Sequence, residues 1–472
     1  MGLTGMAAEA ADPQRMRAII DQYLLRRGDH PVEVAACQVE FTRRGGPRSL
    51  FQYQVTLRDP TDGREWTQAV SGVAYGGEQR TRRAAERLQR HYPPGPPATG
   101  TALVRAAYVP ELDLLLQVFP FDHQLPVLEP LMAGPLPGLV APLLAPFGPG
   151  DWHFAGWEAE AVRYRVDLRA CVRLTIHARE DGTGEGAERH FFAKIYASDA
   201  EAERSWSIQR DVAAALGERT EPIALAPLVA YLPDERLLVQ GQVHGPSLLE
   251  VIREAASLEE AVAAVRRAAR AVAALHRLPL AAPPHRLKQG RMDPERLRRR
   301  AEELRATHPD LASLVAEVEA GIRAGFATIG EAPSAPVHGD LKPNHLLFDD
   351  RIVLLDLDKF AAGDPMLDVA NLLRQLRGSG SAVTQAFVEE YFAHVPAAWE
   401  HRLTPHYAWA LLKEASTASK SARHESRVTP LLMGAHVVLA GGDGSSNPEP
   451  DRIPGNGERS ARREERRSQC NT

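Results

Sequence analysis

Cysteine is scarce in this sequence: Cys37, Cys171 and Cys470 are the three cysteines among 472 residues. They lie far apart and have no metal-ligand spacing, which argues against a cysteine-based zinc site and against a disulfide framework. This usage is typical of a reducing compartment, so we expect a cytoplasmic protein.

Long apolar runs and an excess of one charge are also missing. The longest apolar candidate, residues 431–440, is too short to cross a bilayer, and the first residues lack the pattern of a signal peptide. The net charge is −5, which provides no basic field for nucleic acid. We therefore expect neither a membrane nor a nucleic-acid partner, and the sequence does not indicate an oligomeric state.

The composition is that of an ordinary globular protein, with 44% apolar and 25% charged residues in a chain longer than one typical domain. The proline-rich residues 93–97 predict a boundary. We predict an N-terminal β-module over residues 1–97, a β-rich lobe over 98–240, a helical lobe over 241–425 and a disordered tail over 426–472.

Two stretches share one order of predicted elements. Three strands and a helix are predicted over residues 34–41, 50–57, 66–73 and 79–91, and again over 162–165, 171–178, 190–196 and 201–216. Aligning Tyr75 with Tyr196 places Val73 opposite Lys194. The chain either contains a degenerate internal duplication or has two unrelated β-meanders that look alike.

Residues 337–358 contain the most informative pattern. A polar loop with Asp340 and Lys342 precedes two short apolar strands, and the second strand ends in Asp356 and Asp358. A hairpin of this length brings Asp356 back beside the loop. Such close carboxylates repel unless a cation lies among them, and Mg²⁺ prefers oxygen ligands.

These residue types suit phosphoryl transfer. That reaction needs a carboxylate to deprotonate a hydroxyl, a metal on the phosphates and fixed positive charge. Asp340 fits the base, Asp356 the metal ligand and Lys342 a phosphate contact, with Asp358 as a weaker candidate for a metal or substrate contact.

The segment resembles the aminoglycoside phosphotransferase and choline kinase superfamily in His338-Gly-Asp340, Asp356, Gly363-Asp-Pro365 and Asp368. The resemblance covers about residues 162–418. It implies an α+β, bilobal protein-kinase-like fold that uses ATP and Mg²⁺ to phosphorylate a small-molecule hydroxyl. It also implies Asp340 as base, Asp356 as metal ligand, and His338 and Asp368 as structural support.

The resemblance extends to a nucleotide site. Lys194 resembles the strand lysine that holds ATP phosphates, with Glu203, or else Glu201, as its partner on the next helix; the alternative is a lysine that faces solvent. Gln242 and Val243 lie in the run that resembles the linker between lobes, where main-chain groups pair with adenine.

Two departures from the family pattern leave alternatives open. His345 occupies the position of the second metal ligand, an asparagine in the family, so Asn344 reaches the metal through a shifted loop, the second ligand is weakened, or His345 only packs. The glycine-rich phosphate loop is missing, and arginines occupy its strands, either as phosphate contacts or as a solvated face: Arg163, Arg165, Arg169 and Arg173. The rival function is therefore a catalytically impaired nucleotide sensor or scaffold.

Overall fold

The computed structural model describes residues 8–25, 32–43, 48–76, 79–91, 102–182, 184–217, 222–280, 287–288, 293–331, 333–420 and 422–441. The predicted linker at residues 93–97, Cys470 and residues 442–472 of the predicted tail lie outside these ranges. The chain divides into two compact units. The first joins the described residues up to Ser207 with Pro227–Gln242, and the second joins Ile208–Ala226 with those from Val243 onward.

An antiparallel five-stranded sheet opens the first unit, in the order β1-β2-β3-β5-β4. Its elements are α1 (Pro13–Tyr23), β1 (Glu33–Arg43), β2 (Arg48–Arg58), β3 (Glu65–Tyr75), α2 (Arg80–His91), β4 (Ala106–Val109) and β5 (Leu114–Val118). Alternating apolar residues of β2 and β5 pack against Met16, Ile19 and Ile20 of α1 in one core.

The predicted boundary between residues 97 and 98 is wrong. Strands β4 and β5 follow it in sequence but pair with β3 and complete the first sheet. The reason is physical: β5 is buried along its whole length, so its backbone groups need hydrogen-bond partners, which β3 and β4 provide. A proline-rich segment indicates a break in regular structure, but it does not show which sheet the next strand joins.

A second antiparallel sheet of the first unit has the order β6-β7-β8-β11-β10. Its elements are α3 (Leu128–Ala133), α4 (Pro137–Leu144), β6 (Trp152–Arg165), β7 (Arg169–Glu180), β8 (Gly186–Tyr196), α5 (Asp199–Leu216), β9 (Ile223–Leu225), β10 (Leu228–Leu232) and β11 (Leu237–Gly241). Strand β9 and the part of α5 from Ile208 onward belong to the second unit. The short helices α3 and α4 pack on this sheet through Leu128, Leu131 and Leu139.

The two sheets have equivalent strand orders, and in each a helix follows the third strand. The registers also correspond: Tyr75 faces Arg48 across the first sheet, and Tyr196 faces Arg169 across the second. A duplication requires such a correspondence, which also places Val73 where the second sheet has Lys194. The common ancestry of the two sheets stays a prediction.

Asp167, at the tip of the β6–β7 hairpin, joins the two sheets. Its side chain is fully buried and accepts hydrogen bonds from Arg48 Nη1 at 3.1 Å and from the Tyr75 hydroxyl at 3.0 Å. The Asp167 N–H donates to Asp122 at 2.8 Å. Burial and the charge of Asp122 raise the pKa of Asp167 to about 6, although the charges of His123 and Arg48 oppose this shift.

The second unit is mainly helical. Its helices are α6 (Leu248–Glu254), α7 (Leu258–His276), α8 (Pro294–Thr307), α9 (Ala312–Thr328), α10 (Met366–Leu376), α11 (Ser381–Phe392), α12 (Leu403–Ala418) and α13 (Val428–Leu439). Its strands, besides β9, are β12 (Leu287–Lys288), β13 (Ala335–Val337), β14 (Leu346–Phe348), β15 (Ile352–Leu354) and β16 (Ala361–Gly363). Helix α7 buries alanines and valines beside α10 and α11, and α8, α9, α12 and α13 form a second core.

The prediction of a disordered tail from residue 426 is wrong for residues 426–441. The helix Val428–Leu439 buries Leu431, Leu432 and Ala435 against α9 and α12. This burial stabilises the helix, and it depends on partners distant in sequence.

Both units combine antiparallel strands with helices, so the fold is α+β, as predicted. Within the described ranges, no helix is both long enough and apolar enough to span a membrane.

Candidate active site

The loop with Asp340 lies between β13 and the hairpin β14–β15. Strand β13 ends at Val337, and a short 3₁₀ turn at Pro343–His345 leads into β14, where Leu346 pairs with Leu354 and Phe348 with Ile352. Strand β15 also pairs in parallel with β9. This pairing fixes the end of β15, where Asp356 follows, relative to the loop.

His338 connects the loop to the end of β15. Its Nε2 donates to the Leu355 carbonyl at 2.8 Å, and its Nδ1 accepts the Asp340 N–H at 3.4 Å, so the two bonds are consistent with one tautomer. The Leu355 N–H donates to the carbonyl of His345 at 2.9 Å. These bonds join Asp340 and His345 to Leu355, the residue that precedes Asp356.

Asp356 adopts the left-handed conformation, with φ 62° and ψ 57°. This region costs an L residue about 1–2 kcal/mol, and aspartate tolerates it better than most residues. The chain turns sharply at this point into a 3₁₀ turn, Leu357–Lys359. A strained residue held by its surroundings is typical of functional sites.

Asp368 supports the loop through hydrogen bonds to its backbone. Its fully buried carboxylate accepts the N–H of His338 at 2.5 Å and that of Gly339 at 2.8 Å, and it lies 3.3 Å from His276 Nε2. Gly339 has φ 79°, a conformation that favours glycine. Burial alone would raise the pKa of Asp368, but the hydrogen bond and charge of His276, with His338 and the Gly339 N–H, lower it below its usual value.

Two lysines flank the half-buried Asp340. Lys359 Nζ donates to its Oδ2 at 2.7 Å, and Lys342 Nζ lies 3.4 Å from the same atom. Burial alone would raise the pKa of Asp340, but the hydrogen bond and charge of Lys359, and then Lys342, hold it below its usual range. Asp340 is therefore ionised at neutral pH, as a proton acceptor must be.

His345 stacks on His338, with ring centroids 5.3 Å apart and an interplanar angle of 20°. Burial and the charge of His338 lower the pKa of His345 to about 4, against the opposing charges of Asp356 and Asp340. The imidazole is therefore neutral at pH 7. Its Nδ1 is buried and has no hydrogen-bond partner among the described residues. Asn344 is exposed at the same turn.

The donor set fits Mg²⁺ through oxygen rather than nitrogen. Asp356 and Asp358 are half-buried and carry carboxylate oxygens, the ligands that this ion prefers, and the exposed Asn344 carries an amide oxygen. The neutral imidazole of His345 is a poor ligand for a hard cation.

Lys194 lies near the end of β8, opposite Cys171 on β7 and Leu238 on β11. Its neighbours Ala193 and Ile195 face the core of the second sheet, so Lys194 points to the opposite face, toward which Tyr196 and Leu238 pack with Ala202 of α5. Glu203 and Glu201 of α5 are both exposed. The pairing of Lys194 with Glu203 stays a prediction.

The predicted linker coincides with a boundary of the two units, which falls between Gln242 and Val243. The Gln242 N–H donates to the His190 carbonyl at 3.1 Å, so this residue can offer adenine its carbonyl but not its N–H. The β6–β7 hairpin contains the strands in which the sequence lacked the expected phosphate loop, and its tip, Asp167, is anchored on the first sheet.

Several residues around this site were not identified from the sequence. Lys359 follows Asp358 and contacts Asp340. The Tyr391 hydroxyl forms a 2.7 Å hydrogen bond with His276 Nδ1. Arg402 donates from Nε and Nη2, at 2.9 and 2.6 Å, to the buried Asp364, which the sequence had indicated as part of the motif Gly363-Asp-Pro365. The signal for Lys359 was its nearness to the acidic strand end; His276, Tyr391 and Arg402 lie too far away in sequence to be recognised.

Residues 178–409 match the family described as "Phosphotransferase enzyme family". No curated protein matches the chain. The similar solved structures include aminoglycoside phosphotransferase APH(4)-Ia, as a thermostable mutant with ADP and hygromycin B, at 14% identity and a TM-score of 0.41, covering 65% of this chain and 99% of that one.

Two further similar solved structures are those of another aminoglycoside phosphotransferase and of a choline/ethanolamine kinase family protein. The APH(2")-IIa complex with streptomycin and ATP has 12% identity, a TM-score of 0.38 and coverage of 60% and 93%. A choline/ethanolamine kinase family protein from Mesorhizobium loti has 14% identity, a TM-score of 0.40 and coverage of 64% and 92%. The family match spans the loop, the hairpin and Asp368, so the part of the chain that contains the candidate site is similar to the phosphotransferase enzyme family.

Proposed function

We propose that this protein transfers the γ-phosphoryl group of ATP to a hydroxyl group of a small molecule, with Mg²⁺ as cofactor. The observation that carries the proposal is the linkage of the Asp340 loop to the strand end at Asp356 through His338. In this proposal, the linkage would keep a proton acceptor, Asp340, on the same loop network as the residue before a metal ligand, Asp356. Similarity to the phosphotransferase family supports the reaction class.

In the proposed reaction, Asp340 accepts the proton of the substrate hydroxyl as its oxygen forms a bond to the γ-phosphorus, while the bond from phosphorus to the bridging oxygen of ADP breaks. Asp356, with Asp358, would hold Mg²⁺, which supplies positive charge against the phosphates, and Asn344 would join them only through a shift of the loop. Lys342 and Lys194 would add fixed positive charge, and Gln242 and Val243 would contact adenine. His338 and Asp368 would keep the loop in place.

A second candidate function is nucleotide sensing without turnover. The anchored hairpin tip at Asp167 and the imidazole at position 345 favour it, because neither provides the phosphate and metal contacts of an active family member. The retained set of Asp340, Lys342, Asp356 and Lys194 favours the enzyme, since a sensor does not need a base.

An ATP-consumption screen separates the two functions. The full-length protein is incubated with ATP and panels of sugars, amino alcohols and aminoglycosides, with and without Mg²⁺. We expect ADP formation that depends on one acceptor class and on Mg²⁺. Saturable ATP binding with no turnover on any acceptor would establish the sensor instead.

Replacing Lys359 by methionine is expected to shift the acid limb of the pH–rate profile. A base works only when ionised, so activity falls as the pH drops through its pKa, and the Lys359 ammonium lowers that pKa. Without Lys359 the pKa of Asp340 rises, and the acid limb moves to higher pH. Lys420→Met, which removes an exposed ion pair to Glu303, is the matched control and should leave the limb unchanged.

Replacing His345 by asparagine is expected to increase the affinity for Mg²⁺, because an amide oxygen is a suitable ligand for this ion and a neutral imidazole is not. The Mg²⁺ concentration for half-maximal activity should fall by about tenfold, the equivalent of ~1.4 kcal/mol. Asn344→Ala is measured for comparison. If Asn344 already provides the ligand, this variant raises the Mg²⁺ concentration for half-maximal activity, and His345→Asn changes that concentration little.

A further inference from the structure

A cavity of about 640 Å³ lies in the first unit, at one end of the first sheet and apart from the candidate active site in sequence. It is formed by the helix α2, the end of β3 and the turn after β5. Its lining consists of Tyr75, Arg80, Arg83, Ala84, Arg87, Leu88, His123 and Gln124. The volume is typical of a small-molecule site.

The lining is strongly cationic. Arg80, Arg83 and Arg87 follow the spacing of one helix face, and the described lining residues include no carboxylate. The nearby Glu86 on this helix instead pairs with Arg82, which is not a lining residue, at 3.0 Å. Converging guanidinium groups favour phosphate, which they bind through charge-assisted bidentate hydrogen bonds.

The apolar side of α2 fixes these arginines. Ala85 and Leu88 pack with Leu115 and Phe121 in a small core. Thr81 accepts the Tyr75 N–H at 3.0 Å and donates to Asp113 at 3.2 Å, which joins the start of α2 to the end of β3. The arginines therefore project from a helix whose position is set.

The polar wall of the cavity is also held in place. The Tyr75 hydroxyl lies 2.8 Å from His123 Nε2, and Gln117 Oε1 accepts both the His123 N–H and Nδ1 at 2.8 Å. Asp167 behind them is neutralised by Arg48, so its charge does not oppose an anion in the cavity.

A metal ion is not the expected occupant of this region. Asp122, His123 and Asp167 lie close enough to share an ion. Their oxygens, however, already accept hydrogen bonds from Arg48, Tyr75, Tyr164 and the Asp167 N–H. A cluster whose acceptors are satisfied in this way is a structural network.

The two helices that follow the third strands differ in charge. Helix α5 of the second sheet begins with Asp199, Glu201 and Glu203, whereas α2 has three arginines toward the cavity and Val73 stands where the second sheet has Lys194. The first sheet thus lacks the strand lysine but has a cationic helix. We propose that this cavity binds a small molecule through its phosphate group, at a site distinct from that of the transferred phosphoryl group.

The test is calorimetric titration of inorganic pyrophosphate, without Mg²⁺, into the full chain with Lys194→Met, which removes the predicted nucleotide-phosphate contact. We expect saturable binding that weakens at least tenfold on adding Arg83→Gln and Arg87→Gln, since each removes a charge-assisted contact. The matched control adds Arg82→Gln and Arg90→Gln, which change the same charge on the same helix outside the lining.

The control pair should weaken binding less than twofold. Absence of saturable binding, or an equal loss in both pairs, would overturn the proposal, because general surface charge would then explain any affinity. This outcome is independent of the proposed function, which depends on Asp340 and is measured by phosphoryl transfer.

Discussion

Phosphoryl transfer by the Asp340→Asn variant is expected to fall on the order of 10³-fold, because an amide cannot accept the proton of the attacking hydroxyl. The substitution preserves size, and Lys359 and Lys342 can still donate to the remaining oxygen of residue 340. ATP affinity should therefore change little. Steady-state rates with the acceptor found in the screen, together with ATP titration, measure both quantities.

The matched control for this prediction is Asp350→Asn, in the turn of the same hairpin. Asp350 is exposed and its N–H is bonded to Asp349 at 3.0 Å, so its carboxylate lies outside the network of His338 and Asp340. The rate of phosphoryl transfer by Asp350→Asn should stay within a factor of about two of the rate of the unmodified protein. A comparable loss of activity in both variants would contradict a specific role for Asp340.

Replacement of Asp368 by asparagine is expected to destabilise the second unit by about 3–5 kcal/mol, the usual effect of breaking a buried charged network. The amide loses the charge that His276 and the N–H groups of His338 and Gly339 stabilise. The asparagine would also place its NH₂ group against other hydrogen-bond donors, which are His276 Nε2 and the N–H groups of His338 and Gly339. Hydrogen exchange at the amides of residues 338 and 339 should accelerate sharply, and activity should fall with it.

Asp349→Asn is the control for this substitution, since Asp349 is exposed and its side chain makes a local bond to the next N–H. Exchange at residues 338 and 339 should be unchanged in this variant. If Asp368→Asn left that exchange unchanged as well, the two N–H bonds would not be what holds the loop.

The low pKa of Asp368 adds a pH dependence with a defined sign. A carboxyl group whose pKa is lower in the folded state stabilises the fold above its unfolded value of about 3.9, and this stabilisation is lost as the pH falls through the folded pKa. We expect the second unit to lose stability in acid more steeply than its Asp368→Asn variant does.

The local chemistry of the site could be predicted from the sequence. Residues 337–358 contain a polar loop and two short apolar runs joined by an acidic turn, and this pattern is enough to predict the hairpin β14–β15. The α+β class was implied by the resemblance of the motifs in and after this segment to the phosphotransferase superfamily. These features depend on residues close in sequence.

Other features were decided only by the tertiary structure, because they depend on partners far apart in the chain. The contacting residues are tens of positions or more apart in four cases: the pairing of β4 and β5 with the first sheet, the burial of Val428–Leu439, the ion pair of Arg402 with Asp364, and the ion pair of Arg48 with Asp167. Local propensity contains no information on such partners, because burial and buried hydrogen bonds form only after the elements pack together.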